Sequence, residues 1–208
     1  MSPSPDAAGT VEAKVARRTA MRQRRGERST DRRQREDQQR FDRLVEQLTD
    51  RVPSRLAAYL SAGTEPDSWR FVAWAVTEGI HVLLPVLTDG RGRRLQVPAW
   101  APYEGRDRLR SGRSGILEPI GSVLPGDPLS GVDLMIVPGL AADLTGNRLG
   151  RGGGWYDRAR ADHPELETWL LLNDDEVIEV VPAEAWDLPV HRLITPTRVI
   201  TTRPVSRA

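Results

Sequence analysis

The sequence predicts a single α/β domain of three layers, in which helices flank a mostly parallel central sheet. Short apolar segments of strand length alternate with segments of helical periodicity, which is typical of this fold class. The clearest strand spans residues 132–137 and ends at Pro138 and Gly139, and a glycine-rich loop follows it. Because ligands of such sheets bind beyond the carboxyl ends of the strands, that loop marks the expected site.

The predicted elements begin with a charged helical arm over residues 11–51, which has a break near residues 29–31. Ser29 or Thr30 can cap its second helix, whose apolar positions recur at intervals of three and four residues. Gly79 stands where a later helix should end, and Pro85 where the strand after it should end. Helices are predicted at residues 69–77 and 156–161, strands at 56–60, 80–84, 132–137, 169–172, 177–181 and 192–195, and a short hairpin around 95–97.

Length and composition agree with one domain over residues 11–203, with disordered tails at residues 1–10 and 204–208. Lys and Arg number 30 against 29 Asp and Glu, so the net charge of +1 gives no global field that favours nucleic acid. The charge is uneven, since residues 14–40 contain eleven basic residues against four acidic ones. The chain has no cysteine, which excludes disulfides, thiolate metal sites and a cysteine nucleophile.

No segment is apolar enough for a signal peptide or a membrane span, because the longest apolar stretch contains His81 and Pro85. We therefore expect a cytoplasmic protein that does not contact membranes. We expect it to be a monomer.

Residues 147–158 contain four glycines, three arginines, two aromatic residues and one aspartate. Glycine lets a backbone approach a ligand closely, and successive amides and arginines suit an anion. The carboxylate of Asp157 in this basic loop suggests Mg²⁺ between carboxylate and phosphates. The pattern therefore indicates a nucleotide-phosphate site, although a glycine-rich turn can also be a plain flexible loop.

The loop is not one of the common phosphate motifs. No Gly-Lys pair occurs in the chain, so a Walker A motif is excluded. The dinucleotide pattern also fails, because Trp155 stands where its third glycine would be.

The residues from 136 to 157 resemble the 5-formyltetrahydrofolate cyclo-ligase family, also called methenyltetrahydrofolate synthetase. That family has a strand, Pro-Gly, a loop with an aspartate, and then Arg-Leu-Gly-x-Gly-x-Gly-Tyr-Tyr-Asp. This chain has Pro138-Gly139, Asp143 and then Arg148-Leu149-Gly150-Arg151-Gly152-Gly153-Gly154-Trp155-Tyr156-Asp157. Weaker matches to the family lie at Lys14-x-x-x-Arg18, Glu65-x-Asp67-Ser68, Leu84-Pro85-Val86, 116–119 and 186–190.

The resemblance implies an ATP-dependent enzyme of one-carbon metabolism that converts 5-formyltetrahydrofolate to 5,10-methenyltetrahydrofolate and releases ADP and phosphate. Phosphorylation of the formyl oxygen makes it a leaving group, and N10 of the same folate closes the ring. Both nucleophiles belong to the substrates, so the protein has to position two molecules and neutralise phosphate charge. ATP is then a co-substrate and Mg²⁺ the cofactor.

The resemblance also implies roles for individual residues. Arg148 and Arg151 would neutralise the transferred phosphoryl group as catalytic residues. The two implied metal ligands are Asp157 and Asp187, although an aspartate in a loop is more often an ordinary surface residue. ATP would bind Lys14, Arg18, Arg148, Leu149, Gly150, Arg151, Gly152, Gly153, Gly154, Trp155 and Tyr156. Folate would bind Leu60, Glu65, Arg151, Gly152, Gly153, Gly154 and Trp155.

Two departures from the family pattern keep other functions open. Trp155 replaces the usual first tyrosine, and His191 stands where the family often has a further acid. One alternative is therefore a catalytically weak member that binds nucleotide or folate as a regulator. A separate alternative, which does not depend on these departures, is RNA binding through the arginine-rich N-terminal helices, although these contain few aromatic residues for base stacking.

Overall fold

Seven strands form one mixed sheet in the computed structural model of this chain, which describes residues 5–112, 115–184 and 186–203. The strands are β1 (Arg55–Ala57), β2 (His81–Thr88), β3 (Arg94–Pro102), β4 (Leu109–Ser111), β5 (Leu117–Pro119), β6 (Leu134–Val137), β7 (Ala141–Ala142), β8 (Arg148–Leu149), β9 (Thr168–Leu171), β10 (Arg192–Ile194) and β11 (Val199–Thr201). The main sheet has the order β11-β10-β9-β6-β1-β2-β3, while β4–β5 and β7–β8 form two small hairpin sheets. The five inner strands are parallel and the two edge strands antiparallel, so the predicted mostly parallel sheet is confirmed.

The helices are α1 (Pro5–Gly26), α2 (Thr30–Glu46), α3 (Trp69–Thr77) and α4 (Trp155–Ala159). Helix α2 begins after Ser29, whose hydroxyl accepts a hydrogen bond from the Arg32 amide and so satisfies one of the free amides of the first turn. Helix α3 is followed by Gly79 in the left-handed region (φ 77°), which is the predicted end.

Successive residues of the inner strands face opposite sides of the sheet, and both sides are buried. Leu56 and Ile136 pack with α2 and α3 on one face. Ala57 and Val137 pack on the other face, against α4 and the segments around it. Burial on both faces explains why these strands read as continuous apolar runs rather than alternating ones.

The loops at the carboxyl ends of the parallel strands converge at one edge of the sheet. Tyr59 and Leu60 follow β1, and Pro138 and Gly139 follow β6. Helix α1 lies across this edge, where Met21 packs with Leu140, Leu149 and Val181. Its position brings the basic residues of α1 to the loops that follow the strands.

The predicted strand at 177–181 is wrong. A 3-10 turn over Asp174–Glu176 begins with a capping box between Asn173 and Glu176, and it redirects the chain. Only Val177 makes a β-bridge, to Ala142, and Val180 is exposed. The apolar residues here belong to a turn that packs on the β7–β8 hairpin, where Ile178 and Val181 lie against Ala141 and Leu149.

The expected end of a strand at Pro85 is also wrong, because β2 continues to Thr88. β1 pairs with β2 only as far as Leu83, and Pro85 lies opposite Trp100 of the edge strand β3. Proline is tolerated where a strand has no ladder partner on one side. The hairpin expected around residues 95–97 is accordingly the much longer strand β3.

The two N-terminal helices form, but the part of α1 whose side chains are described packs on the domain and does not project as an arm. Arg25, Arg28 and Arg40 are all buried. Helix α1 starts at Pro5, so it takes in residues 5–10 that the sequence placed in a disordered tail. Residues 1–4 and 204–208 lie outside the described residues.

Candidate active site

A cavity of about 730 Å³ opens at the carboxyl edge of the sheet, within the size range of small-molecule sites. Its walls are Lys14 and Arg18 from the middle of α1, the loops after β1 and β6, the loop before α4, and the segment around Asp187. Every residue that the sequence assigned to a site lines it: Lys14, Arg18, Leu60, Glu65, Arg148, Leu149, Gly150, Arg151, Gly152, Gly153, Gly154, Trp155, Tyr156, Asp157 and Asp187. Residues up to 173 positions apart in the chain therefore meet in one place.

The glycine loop, Gly150–Gly154, is held at its start by the β7–β8 hairpin. The turn of this hairpin is built on Asp143, which is buried and accepts hydrogen bonds from Thr145, Asn147 and the Val181 amide. Burial alone would raise the pKa of Asp143, but these hydrogen bonds outweigh it and hold the pKa below its ordinary value. The aspartate of the family motif therefore has a structural function, since it shapes the turn that leads into the loop.

Two glycines of the loop adopt left-handed backbone conformations, with φ of 101° at Gly152 and 57° at Gly154. Arg18 crosses from α1 to this loop, and its Nε donates to the Gly150 carbonyl at 2.9 Å. A side chain at Gly152 would lie 3.5 Å from the Arg18 guanidinium carbon. The positive φ is what favours glycine at this position, because a contact of 3.5 Å with Arg18 would be an ordinary van der Waals contact.

Three of the four cations predicted to bind a ligand are paired with a carboxylate that also lines the cavity. The Lys14 ammonium lies 3.0 Å from Asp187 and 3.2 Å from Glu184. Arg148 Nη2 donates to Asp157 Oδ1 at 2.9 Å.

The third such pair joins Arg151 to Glu65 at 2.9 Å. The Arg151 side chain is 46% exposed, whereas that of Glu65 is 8% exposed. The second carboxylate oxygen of Glu65 accepts the Ala62 amide at 2.9 Å, which fixes the carboxylate towards the cavity. Glu65 and Arg151 come from the loop after β1 and from the glycine loop, so this pair links two walls of the site.

An aromatic cluster forms one wall. The Trp155 ring lies edge-on to Trp100, with centroids 5.0 Å apart, and to Tyr156, with centroids 4.8 Å apart. Burial, reinforced by the charge of Glu65, raises the pKa of Tyr156 far above its ordinary value, so the phenol stays protonated. Trp155 fills the place of the usual tyrosine by packing against this cluster.

The C-terminal end of α1 is anchored by buried hydrogen bonds and ion pairs. The buried Arg25 guanidinium donates to Glu176 at 2.6 and 2.7 Å and to the Gly139 carbonyl at 2.6 Å. Burial would lower the pKa of Arg25, but the hydrogen bonds and charge of Glu176 outweigh it and raise that pKa. Arg28 pairs with Asp175, and Arg40 with Asp37. These arginines hold the fold together, which weakens the prediction that the basic helices form a free RNA-binding face.

Several lining residues were not predicted from the sequence. Glu184 and Trp186 lie beside Asp187, and Arg158 donates to the Gly153 carbonyl at 2.9 Å. An acid three residues before Asp187 was a usable signal for Glu184. Tyr59, Pro85, Leu87, Ile116, Pro138, Gly139 and Ala161 complete the lining. Pro85, Ile116, Pro138 and Gly139 lie in segments that match the family, but the sequence analysis assigned them no role in a site. Tyr59, Leu87 and Ala161 lie outside those segments and are brought to the site by the fold alone.

Across the described residues, no cluster of three or more His, Asp or Glu side chains is arranged to hold a metal ion. His191 is turned inward, where its Nδ1 accepts the Thr168 amide at 3.0 Å. No helix in the described part of the chain is long and apolar enough to cross a membrane.

Known proteins match this chain along most of its length. The sequence model of the 5-formyltetrahydrofolate cyclo-ligase family matches residues 10–196. A 5-formyltetrahydrofolate cyclo-ligase from Mycolicibacterium smegmatis is 34% identical over 148 residues, which cover 70% of this chain and 75% of that protein. The enzyme of the same name from Escherichia coli is 31% identical over 181 residues, which cover 86% and 98%. The NMR structure of Aquifex aeolicus 5,10-methenyltetrahydrofolate synthetase is similar with a TM-score of 0.75 at 26% identity, over 94% of this chain and 95% of that one.

Proposed function

The chain belongs to the 5-formyltetrahydrofolate cyclo-ligase family, and on that premise we propose that it converts 5-formyltetrahydrofolate to 5,10-methenyltetrahydrofolate at the expense of ATP. The observation that carries the proposal is the single cavity that holds every residue assigned to ATP, folate or metal. A reaction between two bound molecules needs both of them in one enclosed space.

The proposed reaction has two steps. The formyl oxygen attacks the γ-phosphorus of ATP and displaces ADP, which leaves a formyl phosphate-type ester on N5. N10 then attacks the formyl carbon, its proton departs, and the carbon–oxygen bond to phosphate breaks to give the methenyl bridge. Charge builds on the transferred phosphoryl group and on the departing phosphate, so the protein contributes by positioning and by neutralising charge.

The nucleotide side of the cavity is formed by α1 and the glycine loop. In the proposal the amides of Gly152, Gly153 and Gly154 bind phosphate oxygens, and Lys14 and Arg18 contact the phosphates from α1. Lys14 is supported in this role by its position, since it is nearly buried and yet lines the cavity. Leu149, Gly150, Trp155 and Tyr156 shape the same wall.

Arg148 is the best placed residue to stabilise the transferred group. Its side chain is only 6% exposed, and its Nη1 is fixed by the Pro138 carbonyl at 3.1 Å. A forked, preorganised guanidinium stabilises developing charge without having to reorganise during the reaction. Arg151 is more exposed, and it would join the phosphoryl group after leaving Glu65.

The folate side is formed by the loop after β1. Glu65 would accept N–H groups from the amino-pyrimidine edge of the pterin, a carboxylate interaction that selects for hydrogen-bond donors. Leu60 and Trp155 would contact the apolar faces of the substrate. Glycines 152–154 lie between the two sides, which is where the formyl oxygen and the γ-phosphorus have to meet.

Asp157 and Asp187 fit a Mg²⁺ that is bound together with a nucleotide. Mg²⁺ commonly takes one or two carboxylates, and phosphate and water oxygens complete its coordination, so a cluster of three acids is not required. Both carboxylates line the cavity, and both now accept hydrogen bonds from cations that are themselves assigned to phosphate. When bound, the ion would neutralise phosphate charge and help to orient the triphosphate.

The test is a turnover assay with the purified full-length chain, ATP, Mg²⁺ and 5-formyltetrahydrofolate. We expect the absorbance of 5,10-methenyltetrahydrofolate to appear with one ADP released per product, and no product without ATP. Nucleotide binding without turnover at high protein concentration would reject the enzyme and favour the regulatory alternative. No observation on the described residues favours RNA binding as a second candidate.

A further inference from the structure

Arg160 is a buried arginine outside the cavity lining for which the proposed reaction has no use. It lies directly after α4, is 1% exposed, and forms no ion pair with any carboxylate of the described residues. Burial, reinforced by the charge of Arg148, lowers its pKa to about 10, while Asp157 acts in the opposite direction. A buried charge without an ion-pair partner is costly, so its retention calls for a reason.

The contacts of Arg160 join two separate parts of the chain. Its Nη1 donates to the Leu188 carbonyl at 3.3 Å and its Nη2 to the Pro189 carbonyl at 3.0 Å. Leu188 directly follows Asp187, and Arg160 stands three residues after Asp157. The forked guanidinium therefore connects the helix that carries one proposed metal ligand to the segment that carries the other.

The segment after Asp187 is also held on its other side. The Val190 amide donates to the Gly146 carbonyl at 2.9 Å, and the Thr202 hydroxyl donates to the Val190 carbonyl at 2.5 Å. Those contacts fix the segment relative to the β7–β8 turn and the C-terminal strand. Arg160 adds its fixed position relative to α4.

We propose that Arg160 is a positioning residue that sets the distance between the carboxylates of Asp157 and Asp187, so that one divalent cation can contact both. The proposal rests on the proposed function, because it assumes that these carboxylates bind the metal of a metal–nucleotide complex. Arg160 itself donates to neither of these two carboxylates. Residues that orient metal ligands in this way typically alter metal affinity by about 10- to 100-fold when mutated.

The test compares ADP binding with Mg²⁺ and with EDTA, by calorimetry on the full-length chain. In the wild type we expect Mg²⁺ to tighten ADP binding. Arg160→Lys keeps the positive charge but not the forked guanidinium. We expect the Mg²⁺-dependent increase in ADP affinity to be about tenfold smaller in this variant than in the wild type. Its affinity for ADP in EDTA should stay within about twofold of wild type, since the glycine loop and α1 are untouched.

Arg40→Lys is the matched control, because Arg40 is equally buried and also donates to a main-chain carbonyl, that of Leu172 at 3.0 Å. It should lower thermal stability and leave the Mg²⁺-dependent gain unchanged. If Arg160→Lys does not fold, Arg160→Gln in the same assay replaces it, with the same expected loss. A titration with Mn²⁺ in the presence of ADP, followed by electron paramagnetic resonance, should show the half-saturation rising by the same factor.

Retention of the full wild-type gain by the folded Arg160 variant would overturn the proposal. So would an equal loss of affinity with Mg²⁺ and with EDTA, which would indicate a general loss of structure. A wild-type protein whose ADP binding ignores Mg²⁺ would instead reject the proposed metal site itself. Because that failure is seen without any mutation, it is distinguishable from failure of the Arg160 inference.

Discussion

Helix α1 contributes to two kinds of ion pair, which differ in how much of each pair is exposed to solvent. Near its C-terminal end, Arg25 and Glu176 are 2% and 0% exposed, and both Glu176 oxygens are also bonded to Asn173. In its first half, Lys14 pairs with Asp187 at the edge of the cavity, where the Asp187 side chain is 19% exposed. The first pair has no direction from which a ligand can approach, whereas the second faces one.

The comparison separates structural charge from functional charge on one helix. The Arg25 pair joins α1 to the turn after β9, so its partners should not exchange. The pairs of Lys14, Arg148 and Arg151 join groups that would each contact ATP, folate or Mg²⁺. We infer that each of these ion pairs opens when the ligands bind. The cation then pairs with a phosphate, and the carboxylate pairs with Mg²⁺ or with the N–H groups of the pterin.

Among the substitutions in the cavity, Arg148→Met should have the largest effect on turnover. Loss of a preorganised cation beside the transferred phosphoryl group should lower kcat on the order of 10³-fold. Steady-state turnover measures this, and circular dichroism checks that the variant folds. A loss of less than tenfold would show that Arg148 does not stabilise the transition state.

Glu176→Gln should remove the buried ion pair with Arg25 and lower the stability of the fold. It leaves the buried Arg25 without its counter-charge, and removing one partner of a buried pair typically destabilises a protein by about 3–5 kcal/mol. Urea unfolding measures the loss. The turnover of the remaining folded enzyme should stay near wild type, and a selective fall in turnover without loss of stability would contradict the assignment.

Glu65→Gln should distinguish the folate side of the cavity from the nucleotide side. The amide cannot accept two pterin N–H groups, so KM for 5-formyltetrahydrofolate should rise roughly tenfold, equivalent to about 1.4 kcal/mol. KM for ATP should stay the same or fall, because Arg151 is released from its pair. An increase confined to KM for ATP would place Glu65 on the nucleotide side.

His191 should give the smallest effect, on the pH dependence of stability. Burial lowers its pKa, with Glu167 opposing this shift and Arg160 reinforcing it. The unfolded chain therefore takes up a proton first as the pH falls through about 6.5. This contribution to stability is present above that pH and is lost below it, down to the folded pKa. His191→Gln should reduce the difference between urea midpoints at pH 7.5 and pH 5.5, and an unchanged difference would contradict this assignment.

The glycine loop could be predicted because a cluster of glycines indicates, from the local sequence alone, a backbone with left-handed conformations. Gly152 and Gly154 need left-handed conformations, and the neighbouring arginines and aspartate need ligands. Helix α3 was equally legible, since a periodic apolar pattern ended at Gly79. Such local features depend on neighbours within a few positions of the chain.

The partners of these residues could not be predicted in the same way. Lys14 and Asp187 are 173 residues apart, and Arg25 and Glu176 are 151 apart, so only the fold reveals which basic residues are enclosed. Edge strand β3 was underestimated because its Gly, Arg and Pro neighbours resemble a loop. Its pairing with β2 is a tertiary property, which overrides local propensity.

The exchange of partners in the cavity is tested most directly by a crystal structure with Mg²⁺ and a non-hydrolysable ATP analogue. We predict phosphate oxygens within hydrogen-bond distance of the Gly152–Gly154 amides, with Lys14 moved from Asp187 to a phosphate. We also expect Mg²⁺ on Asp157 and Asp187, and an unchanged Arg25–Glu176 pair. A triphosphate bound away from the glycine loop, with Lys14 still on Asp187, would contradict the proposed exchange of partners.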